Sequence, residues 1–311
     1  TGVGWACAAL VLLGAGYTQY QHGYLPGGGN HQRFVVTDHH RAAAAILAQI
    51  PPDAKVSAQD KLDPHVAGRE TVYIFPRVDD ADTIFLDVTG PAWPQHPSDL
   101  YRSVQALLQT GFGIAAATDG YLLLRKGVTN TEPPPAFYDA FRRPQPVGAK
   151  PFTPVFGDQV QLVDYTVTTD THGEVITQLY WQAIMPLSKE LHFYLAYHDA
   201  AGNLLHENQF YQPVATLWYP TTMWKPKETI LVQSLPWQLD VDHFTVSLGV
   251  YEGEAGWDHG DRLPLTIGPA PSYPYFAANT LVRLGGYQRQ GQQWLPIDPM
   301  VGAPAQPLHV Q

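Results

Sequence analysis

Between Ile50 and Arg77 the chain reads IPPDAKVSAQDKLDPHVAGRETVYIFPR, and its middle holds Gln59, Asp60, Asp63, His65 and Arg69, the densest group of reactive side chains in the sequence. Another carboxylate, Asp87, closes the apolar run TIFL. Ligands of open α/β sheets bind outside the carboxyl ends of the strands. Gln59, Asp63, His65, Arg69 and Asp87 therefore make a candidate polar pocket, with the donors and acceptors to hold a sugar or a phosphate. The same residue types also make structural ion pairs, which imitate sites. In that reading Arg69 and an Asp tie the loop down and His65 caps or packs.

Other candidates are weaker. His39 and His40 follow one another, and neighbours on a helix diverge by about 100°, which keeps them from sharing one ion. Glu252, Glu254, Asp258 and Asp261 offer oxygen ligands of the kind calcium takes, or a solvated acidic loop. Trp218, Tyr219 and Trp224 lie in a segment with the composition of a loop, and flat rings there would stack on sugars. These three are the candidate carbohydrate-binding residues, with plain packing as the alternative. No glycine-rich phosphate loop, nucleophile spacing or paired-carboxylate motif is present. No catalytic residue, metal site or cofactor is assigned.

Composition narrows the partners. The 311 residues are 45% apolar and only 15% charged, with a net charge of −10. A basic stripe, the footprint of nucleic-acid binding, is missing, so no nucleic-acid partner is expected. One cysteine, Cys7, excludes a disulfide within the chain.

The elements that must position these residues follow from periodicity. Val3 to Tyr17 is an uncharged apolar run. A spanning helix needs about 20 such residues, so residues 1–24 are expected to be a truncated transmembrane helix, with Tyr17, Tyr20 and Tyr24 as an interfacial belt. The expected partner is membrane lipid. Residues 34–127 read as a small α/β domain, a mixed sheet with helices. Thr37 or Asp38 caps a first helix, Lys55–Ala58, Thr71–Phe75 and Thr83–Val88 are strands, and a helix opens at Pro97. A hairpin then turns at Asp119-Gly120. Residues 128–156, dense in proline, read as an extended linker with room for one short helical turn at Ala136–Arg142. From 157 to 268 the period becomes two, with about seven strands between turn signals, which indicates an all-β sandwich. Residues 269–311 read as a tail in which Tyr273 to Gln293 packs back as a strand pair around Gly285-Gly286, with a loose end from Pro296.

The runs VSAQDKLDPHVAGRETVYIFPR, ADTIFLDVTGPAW and GFGIAAATDGYLLLRKG resemble the extracytoplasmic C-terminal part of a family of bacterial polytopic membrane proteins, domain of unknown function 2079. The resemblance covers about the first 127 residues. It implies a cell-membrane protein with its globular part on the extracytoplasmic side. It also implies distant kinship to membrane glycosyltransferases that use lipid-linked sugars. Their catalytic carboxylate lies in early loops that this sequence lacks. The implied role is thus accessory or glycan-contacting and non-catalytic. A free-standing enzyme using the α/β pocket and a carbohydrate-binding β module remain the alternatives.

Overall fold

A computed structural model describes residues 2–30, 36–90, 92–144, 153–170, 172–253, 256–266, 275–276, 280–291 and 293–298. The chain divides into two compact units, 1–49 and 50–311.

The first unit holds α1 (Gly2–His22) and α2 (Asp38–Leu47). No residue of α1 is buried, and its apolar residues lie all round it, Val3, Trp5, Leu10, Val11, Leu12 and Leu13 among them. The expectation of a membrane span is corrected in one respect. Among the described residues no helix is long and apolar enough to cross a membrane. The physical reason lies in the last turns, where Thr18, Gln19, Gln21 and His22 replace the apolar run. α2 starts as expected. The Thr37 hydroxyl accepts from the His40 amide and the His40 ring accepts from the Thr37 amide, a reciprocal cap. His40 is therefore a capping residue.

The second unit contains three sheets. The first is built from β1 (Val56–Ala58), β2 (Val72–Ile74), β3 (Thr83–Asp87), β4 (Phe112–Thr118) and β5 (Tyr121–Lys126), in the order β2-β1-β3-β5-β4. β1 runs parallel to both β2 and β3, and β5 is antiparallel to both of its neighbours. The short helix α3 (Asp63–Val66) lies between β1 and β2, and α4 (Pro97–Gln109) between β3 and β4. His96 is the N-cap of α4 and accepts from the Ser98 amide. β3 is buried along its whole length, as a strand with an unbroken apolar run should be when both faces are covered.

The next strands are β6 (Val155–Phe156), β7 (Val160–Thr169), β8 (Val175–Ala183), β9 (Leu191–His198), β10 (Leu204–Glu207), β11 (Thr229–Gln233) and β12 (His243–Glu252). A five-residue helix, α5 (Val214–Trp218), interrupts them. The pairs β13 (Asp261–Arg262) and β14 (Leu265–Thr266), then β15 (Tyr275–Phe276), β16 (Leu281–Gln290) and β17 (Gln293–Asp298), complete the set. One sheet runs β11-β8-β7-β6-β14. The other runs β10-β9-β12-β16-β15, with β13 on β12 and β17 on β16. Side chains join the two sheets. Trp181 of β8 stacks on Phe193 of β9 with centroids 4.5 Å apart. Thr177 and Tyr197 share a hydroxyl–hydroxyl bond of 2.9 Å, and Tyr165 donates to the Leu284 carbonyl.

Two expectations change here. Gly285-Gly286 is not a turn. Both glycines lie within β16, opposite an irregularity of register at Val246/Ser247 of β12, and β16 pairs with β12 over most of its length. The proline-rich segment is not a free connector where it is described. Pro135–Ala140 forms a 3-10 helix that buries Phe137, Tyr138 and Ala140. Its carbonyls at Ala136 and Phe137 accept from Asp119 and Gly120 of the first sheet, and Leu231 of β11 donates to the Phe141 carbonyl. Rings rather than prolines decide the packing. Residues 145–152 lie outside the described residues.

Candidate functional site

The chain leaves β1 toward β2 on one side and leaves β3 toward β4 on the other, so the carboxyl ends of β1 and β3 form a topological switch point, the place where open α/β sheets bind ligands. Gln59 follows β1 directly and is 1% exposed. Its Oε1 accepts from the Asp87 amide at 2.7 Å, which locks the two strand ends together. Asp87 ends β3. Its Oδ2 receives Lys61 Nζ at 2.7 Å, and its Oδ1 accepts from the Thr89 amide at 2.9 Å and the Thr89 hydroxyl at 2.6 Å. The Asp87 side chain is 8% exposed and that of Lys61 is 31% exposed. Gly90 gives the ammonium its room, because a Cβ there would lie 2.3 Å from Lys61 Nζ. Tyr121 of β5 is the cross-strand neighbour of Asp87. Burial first, and then the negative Asp87 and Asp119, push its phenol well above the usual range.

Of the five pocket residues read from sequence, the fold joins Gln59 and Asp87 and brings Asp63 beside them through its amide, which donates to the Gln59 carbonyl at 2.9 Å. Gln59 Nε2 and Asp63 Oδ1 are buried without a protein partner. The remaining two do not belong to the pocket. Arg69 donates from Nε to the Pro51 carbonyl at 3.1 Å and from Nη2 to the Ile50 carbonyl at 3.0 Å, clamping the end of the preceding segment. His65 lies exposed on α3. Lys61 and Thr89 are functional candidates that sequence reasoning missed. Lys61 stands in a run of charges where nothing marks it, and its partner lies 26 residues away.

The three aromatic candidates are corrected. Trp218, Tyr219 and Trp224 are 7%, 1% and 3% exposed, so none offers a face to a sugar. Trp218 meets Tyr101 of α4 edge-on at 5.0 Å, and Tyr219 stacks on Tyr138 at 4.7 Å. Trp224 donates from Nε1 to the Tyr219 carbonyl and stacks on Phe193. α5 and the turn after it fold these rings inward as a wedge within the second unit.

The acidic loop near the end of β12 is also paired with bases. Glu252 binds Lys189 at 2.6 Å and accepts from Gln159, and Asp258 lies 3.7 Å from Arg262. Lys189 holds the Glu252 carboxyl below the ordinary range. Glu254 lies outside the described residues. Among the described residues Asp170, His172 and Glu174 bring ligand atoms within 4.8 Å of one another. Asp170 Oδ1 there already accepts from the amides of His172 and Glu174, closing the turn between β7 and β8.

No curated protein and no solved structure matches the chain. Residues 27–123, the stretch that carries β1 to β4, α4 and the whole Lys61–Asp87 site, match the model of the family described as "Predicted membrane protein (DUF2079)".

Proposed function

We propose that this chain is an extracytoplasmic accessory region of a membrane protein, attached to lipid through α1 and serving glycan contact without catalysing transfer. In this reading the two packed β sheets are a β-sandwich, and the whole protein is kin to glycosyltransferases that use lipid-linked sugars. The observation that carries it is α1. A helix that is apolar all round belongs in a core or in lipid, yet α1 buries nothing. Its apolar run of 15 residues, Val3–Tyr17, covers about 22 Å of a hydrocarbon core about 30 Å thick. Tyr17, Tyr20 and Tyr24 then fall at the interface. The family that residues 27–123 match, a stretch that begins after α1, is described as a predicted membrane protein. The accessory role is supported by how the reactive residues are used: Arg69 binds carbonyls and Asp87 is held by Lys61 and Thr89.

The test is flotation with phosphatidylcholine–phosphatidylglycerol vesicles, comparing the full chain with one lacking Val3–Tyr17. The full chain should rise with the vesicles and the shortened one should stay behind. Equal behaviour of the two overturns lipid attachment. Turnover of a polyprenyl-phosphate-linked sugar by the chain alone overturns the accessory role.

A second reading is favoured by Gln59 Nε2 and Asp63 Oδ1, a buried donor and a buried acceptor left over at the switch point. Beside the Lys61–Asp87 pair they suit a sugar or a phosphate, as in a free-standing enzyme. Calorimetric titration with glucose 1-phosphate and with inorganic phosphate tests it. Saturable heat that disappears in Gln59→Leu favours this reading, and a flat titration excludes it.

A further inference from the structure

The turn between β7 and β8 brings three side chains of metal-ligating type to one point. Asp170, His172 and Glu174 alternate along the chain, and each offers a ligand atom within 4.8 Å of the other two. Alternate residues of a strand share a face but stand about 6.6 Å apart, so a strand would not gather them. Here the chain reverses. Gly173 has φ +83°, its amide donates to the Asp170 carbonyl at 3.3 Å, and the Asp170 amide donates to the Glu174 carbonyl at 3.0 Å. Asp170 Oδ1 holds the turn by accepting from the amides of His172 and Glu174, at 2.8 and 2.9 Å. Its Oδ2 faces the imidazole instead, 3.3 Å from His172 Nδ1.

The group is open to solvent. The His172 side chain is 80% exposed and that of Asp170 21%, so an ion reaches the ligand atoms without entering the fold. Charge favours a cation. Asp87 and Glu252 each have a lysine beside them. Asp170 has only His172 as a basic partner, and among the described residues Glu174 has none. Two carboxylates gathered in one turn repel each other, and a cation between them removes that repulsion. The spacing suits a small ion. Zinc holds nitrogen and oxygen ligands at about 2.0–2.2 Å, which puts neighbouring ligands of a tetrahedral site about 3.3–3.6 Å apart. Asp170 Oδ2 and His172 Nδ1 already stand at that separation. Glu174 closes the remaining distance by rotating its flexible side chain. Calcium takes six to eight oxygen ligands, whereas an imidazole among the donors selects a first-row transition metal or zinc.

We infer that Asp170 Oδ2, His172 Nδ1 and a carboxylate oxygen of Glu174 form a surface site for a zinc ion, with water completing the coordination. Structural zinc centres have four protein ligands. Three on an exposed turn make a site that fills and empties with the metal outside, and that ties the β7–β8 turn when filled. The site goes beyond the proposed function and depends neither on lipid attachment nor on glycan contact.

The test is calorimetric titration of the full chain in detergent, stripped with a chelator and dialysed, with zinc chloride. One saturable site per chain is expected. Loss even of a group behind a metal ligand costs about 10–100-fold in affinity, so His172→Ala and Glu174→Gln should each weaken binding at least about tenfold. His172 is exposed and Glu174→Gln keeps the side chain's size, so melting curves of both should match the parent's. His65→Ala, at an exposed histidine of α3, should leave the binding unchanged. Lowering the pH from 7.5 to 5.5 should weaken it, because protons compete for the imidazole. A flat titration overturns the site. So does binding that neither His172→Ala nor Glu174→Gln weakens, which would be an adventitious ion only, and so does equal weakening by His65→Ala. Displacement of zinc by excess calcium overturns the choice of metal.

Discussion

Replacing Lys61 by Met should destabilise the second unit more than replacing Asp87 by Asn, although the two substitutions remove the same ion pair. Asp87 is the buried partner, at 8% side-chain exposure, and Lys61 is the wetter one at 31%. In Lys61→Met the carboxylate stays in place without its cation, held by the Thr89 amide and hydroxyl. Breaking a buried pair from one side costs about 3–5 kcal/mol. The retained Thr89 bonds and the partial access of water bring this to about 2–3 kcal/mol. In Asp87→Asn the amide oxygen still accepts from Thr89, and the ammonium swings out to water on its flexible stem, so the loss is about 1 kcal/mol. The Gln59 bond to the backbone of residue 87 survives in both.

Urea unfolding followed by far-ultraviolet dichroism measures each variant against the parent. The double variant should lose less than the sum of the single losses, because Lys61→Met no longer strands a charge once residue 87 is Asn. Two results refute the reasoning. Asp87→Asn as costly as Lys61→Met would mean that the carboxylate is not the trapped charge. Strict additivity in the double variant would mean that the two groups do not sense each other.

Gly120 and Gly173 both have positive φ, +78° and +83°, but only at Gly120 does a Cβ collide, 2.1 Å from Thr89 Cγ2. Gly173→Ala should therefore cost about 1 kcal/mol of backbone strain, and Gly120→Ala distinctly more, as read from urea midpoints. Trp224→Ala should cost about 3–5 kcal/mol, the loss expected for a core tryptophan; unchanged stability with lost glycan binding would restore it as a sugar platform. Stability should fall as pH drops below about 6.5, the unperturbed histidine value. Burial depresses the pKa of His198 and His206 against the raising effect of nearby carboxylates. The unfolded chain then takes up these protons before the folded one does, so the stabilisation is complete above 6.5 and is lost on acidification toward the folded values. Melting between pH 7.5 and 5.0 should show this slope, and His198→Asn should flatten it.

How far the site could be read in advance depended on whether its geometry is local. Gln59 and Asp87 were legible because each is the first polar residue after an apolar strand, and strand ends sit where α/β sheets bind ligands. Their direct contact depends on β1 and β3 being parallel neighbours, with Ala58 opposite Phe85. That pairing also selects Lys61 over His65 and Arg69, which differ from it in no sequence signal. The strand Val175–Ala183 was legible because alternation of burial is written into alternation of residue type, whereas Leu191–His198 is buried everywhere but at His192. The segments around Pro135 and Trp218 were misread for the converse reason. Their proline and mixed polarity look like exposed loops, but Phe137, Tyr138, Trp218 and Tyr219 have no period of their own and are buried by one another.

That difference bears on where function should be sought in this chain. Rings buried against each other hold the fold by packing even where a polar atom is left over, as at Trp181 Nε1 and Trp218 Nε1. The rings around Tyr211 are packed as closely, and they too carry leftover polar atoms, Trp237 Nε1 and His206 Nε2. Unmet hydrogen-bonding capacity therefore does not by itself separate ligand sites from packing in this fold, and Gln59 Nε2 and Asp63 Oδ1 stand out only because they also lie at the topological switch point of the first sheet.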